Sequence, residues 1–210
     1  MKNNSLEDLL KATSHVSKGP AAAFGRVHSS GVPAWDARLP GGGWPAGLLW
    51  VYRPVAGLGE MRLFLPLCAQ RSAAGRHVVL LDPPWTPYPP AWAAAGVRLE
   101  RLHWLQPPDE AGVRWALDAL VRCPACGVLG CWPRRGPPPA ALLQRLQQAG
   151  AAQGAVVLWF TDRKRPPPGF KPSLHLALWR DAAGRLWLAG RSRRGTVLPA
   201  CPWPEAEAGP

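Results

Sequence analysis

The stretch from His28 to Arg62, HSSGVPAWDARLPGGGWPAGLLWVYRPVAGLGEMR, holds the residues whose types and spacing come nearest to a recognisable chemistry. An apolar run, Leu48 to Tyr52, leads into a glycine-bearing loop, Arg53 to Gly59, and then into a helix-like segment. Strand, loop and helix in that order is the setting of a phosphate-binding loop. Its glycines expose backbone N–H groups, its lysine balances phosphate charge and its hydroxyl side chain holds magnesium. Aligned with Gly59 as the last glycine, this loop has Pro54 at the first glycine position, Gly57 within it, Glu60 in place of the lysine and Met61 in place of the hydroxyl. An anion within about 4 Å of a phosphate in a partly buried loop costs several kcal/mol relative to lysine. Met61 offers magnesium no oxygen. The candidate strand Gly127 to Trp132, which should end in a second acid for the metal, ends in Cys-Trp-Pro. The set Pro54, Gly57, Gly59, Glu60 and Met61 therefore reads as a vestigial phosphate loop. The expectation is a non-enzyme without cofactor or metal; residual ATP binding through an unusual loop is the alternative. Asp82 and Asp162 each follow a strand, where a turn or capping role fits them.

Cys123-Pro124-Ala125-Cys126, with Cys131 five residues on, invites a zinc or redox reading. A tetrahedral zinc site needs a second ligand pair, and only the scattered His103, His175 and Cys201 are on offer. A redox CxxC should open a helix after a strand, whereas this one precedes a strand. Ordinary structural cysteines are the expectation. The five His show no metal spacing, and Ser30-Gly31 lacks the strand–turn–helix elbow of a nucleophilic serine.

Basic residues crowd the C-terminal third. Arg163, Lys164, Arg165, Lys171, Arg191, Arg193 and Arg194 are candidate contacts for nucleic acid or a nucleic-acid-bound partner, with Pro166-Pro167-Pro168 stiffening the first cluster. The bland reading, arginine as the solubilising residue of a lysine-poor chain, stands beside it. Trp159 and Trp179 are expected in the core, Trp85 and Trp104 at the surface.

These residues need elements to position them. Short helices are expected over Val32 to Leu39 and Tyr88 to Ala95, and longer ones over Met61 to Ala74, Asp109 to Arg122 and Pro137 to Ala149. Pro66 should kink the helix over Met61 to Ala74 or displace its start. The helix after Asp109 has a broad apolar stripe that includes Val113, Trp115, Ala116, Leu117 and Leu120. Strands are expected over Leu48 to Tyr52, His77 to Leu81, Leu99 to Leu105, Gly127 to Trp132 and Ala155 to Phe160. Runs apolar on both faces and separated by helices indicate parallel strands covered on both sides. Leu174 to Arg180 and Arg185 to Arg191 flank Asp181-Ala182-Ala183-Gly184 as an antiparallel hairpin. The fold class is thus α/β: a mostly parallel twisted sheet flanked by helices and ending in a hairpin.

A chain of 210 residues with 47% hydrophobic content suits one domain. The expected division is an N-terminal extension over 1–27, an α/β domain over 28–198 and a flexible tail over 199–210. Leu6 to Ala12 fits a frayed terminus or a short docking helix. A net charge of +12 points to an acidic partner. The N-terminus has no apolar signal segment and no run approaches the roughly 18 apolar residues of a membrane span. These features predict a cytoplasmic chain with reduced thiols and no membrane partner.

Ser30-Gly31, Trp35-Asp36, Leu39-Pro40-Gly41-Gly42-Gly43, Pro45 and Gly47 form a string that resembles the segment preceding the first core strand of RecA-like recombinases. Within that superfamily the chain resembles ImuA, a family associated with translesion DNA synthesis. The likeness rests on Leu39 to Gly47, on Gly57-Leu58-Gly59-Glu60 in place of a working loop, and on Asp82 to Val97; it covers roughly Ser29 to Thr196. The resemblance implies a RecA-like core. It also implies a non-catalytic adaptor in the SOS response, partnered by an ImuB-like protein, RecA and an error-prone replicative-type polymerase, with single-stranded DNA a further candidate partner. By the same analogy the loop Arg163 to Lys171 would face DNA. A second resemblance, to the SulA family, implies a cell-division inhibitor that binds the tubulin-like division protein.

Overall fold

The computed structural model describes residues 25–133 and 139–203. Its strands are β1 (Val27–His28), β2 (Trp44–Pro45), β3 (Gly47–Tyr52), β4 (His77–Leu81), β5 (Leu102–Leu105), β6 (Cys126–Cys131), β7 (Val156–Thr161), β8 (Leu174–Arg180), β9 (Leu186–Ser192) and β10 (Val197–Pro202). Its α-helices are α1 (Pro33–Asp36), α2 (Leu65–Ala73), α3 (Pro89–Ala94), α4 (Glu110–Val121) and α5 (Ala140–Gln153). β1 and β2 form a small antiparallel ladder, and the other eight strands form one sheet in the order β10-β9-β8-β3-β7-β6-β4-β5. Pairing is parallel from β8 through β3 to β5. It is antiparallel across β8, β9 and β10.

The central strands are apolar on both faces because both faces are covered. Leu49, Val51, Leu80, Val128, Leu158 and Phe160 pack with Trp35 of α1, Leu67 of α2 and Trp92 of α3. Their neighbours Leu48, Trp50, Leu81, Leu129, Val157 and Trp159 point the other way, onto Leu117 of α4 and Leu143 and Leu146 of α5. α5 comes unusually close to β3: a Cβ at Gly150 would lie 3.1 Å from the Gly47 Cα. Gly47 takes φ 104°, and a side chain there would meet Gln147 Nε2 at 2.4 Å and Ser173 Oγ at 2.5 Å. Gln147 uses this proximity. Buried, it accepts from the backbone N–H of Leu48 at 2.9 Å and of Ser173 at 3.0 Å, and donates to Ser173 Oγ. One side chain thereby ties α5 to the starts of β3 and β8.

Several expectations need correction. The boundary at 198 falls inside β10, whose Val197 and Leu198 pair with Arg191 and Gly190 and whose Cys201 pairs with Leu188. Pro199 is accommodated because the register shifts between Leu198 and Cys201 on an edge strand, where a missing N–H is tolerated. The ladder is followed by Trp203, whose ring lies 5.0 Å from that of Trp35. The expected boundary at 27 likewise cuts β1. Residues 204–210 and the N-terminal segment Leu6 to Ala12 lie outside the described residues.

The helix expected from Met61 divides into a 3₁₀ turn, Glu60–Leu63, and α2; Pro66 sits in the first turn of α2, the one place where its missing N–H costs nothing. α5 starts at Ala140 and continues through Gly150 to a left-handed Gly154, because Gly150 is needed for the close approach to β3. Leu99–Arg101 is a 3₁₀ turn, so β5 begins only at Leu102. Trp115, expected on the inner stripe of α4, is 74% exposed.

Candidate functional site

The parallel strands β3, β4, β6 and β7 end on one edge of the sheet, where open α/β folds bind ligands. Two hollows meet there at Arg53 and Pro133. One, of about 550 Å³, is lined by Arg53, Pro54, Val55, Asp162 and Arg163. The other, of about 410 Å³, is lined by Arg53, Asp82, Trp85, Gln106 and Trp132.

The loop between β3 and the 3₁₀ turn is closed by its own side chains. Glu60, at the lysine position, is buried, and its carboxylate lies 3.3 Å from Arg53 Nε. Arg53 in turn is held at the end of β3 by its N–H, which donates to the Thr161 carbonyl at 2.8 Å. From β8, Arg180 Nη2 donates to the Leu58 carbonyl at 2.7 Å. Gly59 takes φ 83°, and a Cβ there would sit 3.1 Å from that guanidinium. Gly57 (φ 77°) turns the loop in open space. Pro54 stays at the rim of the larger hollow, and Met61 packs against the core. The reversed charge of Glu60 is thus matched within the chain. Arg53 and Arg180 carry no motif signal, and with Arg62 nearer to Glu60 in sequence nothing in the chain singles them out.

The Ser-Gly and Asp of the glycine-rich segment also serve the fold. Asp36 accepts from Ser29 Oγ at 2.5 Å and from the Ser30 N–H at 2.7 Å, bracing the turn that precedes α1. Asp82 closes β4 with φ 55°, a turn conformation.

The candidate basic residues do not form one cluster. Arg163 lies with Arg53 at the C-terminal edge of the sheet. Arg193 and Arg194 lie at the opposite edge, with Arg26 around a smaller hollow of about 150 Å³ beside Gln147 and Ser173. The reason is topological: residues 162–173 join the end of β7 to the start of the parallel β8, so they must run the length of the sheet. That connection is pinned from within. Trp50 Nε1 donates to the Arg163 carbonyl at 3.0 Å, His175 bonds the Lys164 backbone, and Phe170 is buried. Arg163, Arg165 and Lys171 are exposed along it, and Lys164 is half-buried. Arg191 pairs with His175 across the hairpin. Burial pushes the His175 ring down to about 4.

Part of the chain's positive charge is structural. Arg71 and His28 both reach the Gly154 carbonyl, and Arg76 donates to Gln153, so three basic groups gather at the negative end of α5. Burial, then the Arg71 charge, lowers the His28 pKa.

Burial pushes the thiols of Cys68 and Cys126 up to about 12 and that of Cys131 further, so these are protonated core residues. All five cysteines are free thiols. Among the described residues no three His, Cys, Asp or Glu side chains gather in a metal-holding group, and no helix is long and apolar enough to cross a membrane. Trp159 is core as expected; Trp179 is only half-buried, and Trp85 is half-buried with its ring 5.5 Å from Trp132. Trp104 is 41% exposed.

No family model matches the chain, and no curated protein matches it. Among solved structures it is similar to SulA from Pseudomonas aeruginosa, at 22% identity and a TM-score of 0.41, over 56% of this chain and 100% of that one.

Proposed function

We propose that this protein is a non-catalytic, RecA-like adaptor of SOS-induced translesion DNA synthesis, docking RecA and an ImuB-like protein and serving an error-prone replicative-type polymerase. The observation that carries the non-catalytic half is the Arg53–Glu60 pair: the position where a nucleotide-binding loop holds its lysine is taken by a buried carboxylate already matched by an arginine of the same loop. A phosphate brought there meets like charge at the place where it needs a cation. The adaptor half rests on the resemblance of Leu39 to Gly47 and of Gly57 to Glu60 to the ImuA family. A sheet with a closed loop keeps its surfaces for partners without a nucleotide cycle.

The test of the non-catalytic half is thermal unfolding with and without magnesium and ATP. An unchanged midpoint supports the reading, because a ligand that binds only the folded state raises it. A rise that disappears on Gly59→Trp would restore the residual ATP-binding alternative. Overproduction in bacterial cells separates the adaptor from the SulA-like alternative: filamentous growth with inhibited polymerisation of the division protein belongs to the latter.

A further inference from the structure

On the face of the sheet that carries α4 and α5, those helices pack on the central strands and not on the hairpin strip, which the connection 162–173 reaches at His175. Along the strip β8 and β9 pair His175 with Arg191, Ala177 with Ala189 and Trp179 with Trp187, and β3 places Tyr52 beside Ala177. Strand alternation puts all of these on one face, the face of Trp50 and Trp159. Trp50 and Trp159 are fully buried there, whereas Tyr52, Trp179 and Trp187 are each only half-buried. Two alanines form the flat ground between them. The two indoles are nearly parallel, at 21° with centroids 6.2 Å apart. Trp187 is fixed in place: its Nε1 donates to Asp181 Oδ2 at 2.8 Å, and the Arg185 guanidinium stands 6.0 Å from its ring.

We propose that this strip, Tyr52, Trp179 and Trp187 flanked by Arg163, Arg165 and Arg191, is a stacking platform for single-stranded nucleic acid. Every base has a π-face to lay on an indole or phenol, and the phosphates that follow it need cations alongside. The connection 162–173 supplies them on the same face, because Trp50 holds the Arg163 carbonyl from beneath. Arg191 supplies another beside His175. Duplex DNA keeps its bases stacked inside and could use only the arginines. The proposal rests on the adaptor reading only for the presence of single strands where the protein works. It does not rest on the Arg53–Glu60 pair, although Arg163 lines the same hollow as Arg53 and Pro54.

The test is titration of the full chain with a fluorescently labelled oligothymidylate, read by anisotropy and by quenching of intrinsic tryptophan fluorescence. Binding with quenching is expected. Trp179→Ala and Trp187→Ala should each weaken it by about tenfold or more, while Trp187→Phe stays within about threefold of wild type. Arg163→Ala with Arg165→Ala should flatten the salt dependence and leave the quenching of bound protein intact. No binding by the wild-type chain, or equal binding by the Trp179→Ala, Trp187→Ala double variant, overturns the proposal. If that variant does not fold, photo-crosslinking of a bromodeoxyuridine-substituted oligonucleotide to the wild type decides: crosslinks at Tyr52, Trp179 or Trp187 support the platform, and crosslinks confined to other residues overturn it. An acidic protein or a second copy of the chain as the true occupant would show as a complex that oligothymidylate does not displace, which also overturns it. Partner binding retained without oligonucleotide binding would sink the platform and leave the adaptor reading standing.

Discussion

Arg53 and Glu60 face each other at 3.3 Å across the loop that joins β3 to α2, with 12% and 3% of their side chains exposed. The contact is coulombic more than hydrogen-bonded, since neither Arg53 Nε nor that carboxylate oxygen has an aligned partner. Removing one charge strands the other in a poorly solvated place. Glu60→Gln is therefore expected to lower the unfolding free energy by about 3 kcal/mol. The double variant Arg53→Met, Glu60→Met should recover most of that loss, because it removes both desolvation costs together. Urea unfolding of the three proteins measures this; a Glu60→Gln variant as stable as wild type would show that the pair does not hold the loop.

Gln147 is the second internal tie, on the far edge of the sheet from that loop. Gln147→Leu keeps the volume but leaves the Leu48 N–H, now paired to Gln147 Oε1 at 2.9 Å, without an acceptor. The expected cost is about 2 kcal/mol. Amide hydrogen exchange should accelerate at Leu48 more than at Val157 in β7; uniform acceleration would mean that the tie is only one packing contact among many.

The pH dependence follows from His175. Burial holds its ring at about 4 in the folded chain, against 6.5 unfolded, despite the bond to the Lys164 backbone. The unfolded chain then takes up the proton first as pH falls. His175 leaves stability intact above about pH 6.5 and erodes it between about pH 6.5 and 4, by about 3 kcal/mol at most. His28, lowered by burial and by Arg71, acts in the same direction. The loss of stability from pH 7 to about pH 4 should shrink in His175→Leu. An unchanged loss would place the acid sensitivity in the carboxylates, among them Asp181, which its bond from Trp187 holds at about 2.

The parallel core was legible in the sequence because its cues were local: apolar runs bounded by glycine and proline, and an N-cap at Asp109 that accepts from Gly112 N–H as its residue type suggests. The hairpin was legible from the alternation of Leu186, Trp187 and Leu188. What escaped was set by distant contacts. β10 hides behind two prolines and exists because β9 offers an open edge. Gly150 looks like a helix end until Gly47 is known to lie against it. Trp115 satisfies the apolar stripe of α4 by spacing, yet the helix turns it to solvent. At the candidate site the missing lysine could be read from the chain, but its replacement by an Arg53–Glu60 pair could not, since that depends on how the loop folds back. The basic residues looked like one group in sequence and are parted because a crossover connection carries them from one edge of the sheet to the other.

The adaptor account is tested most directly by size-exclusion chromatography of the purified chain mixed with RecA and with an ImuB-like protein, after nuclease treatment and without nucleotide. The account predicts co-elution with at least one of the two, unchanged when ATP is added. Separate elution from both would contradict it.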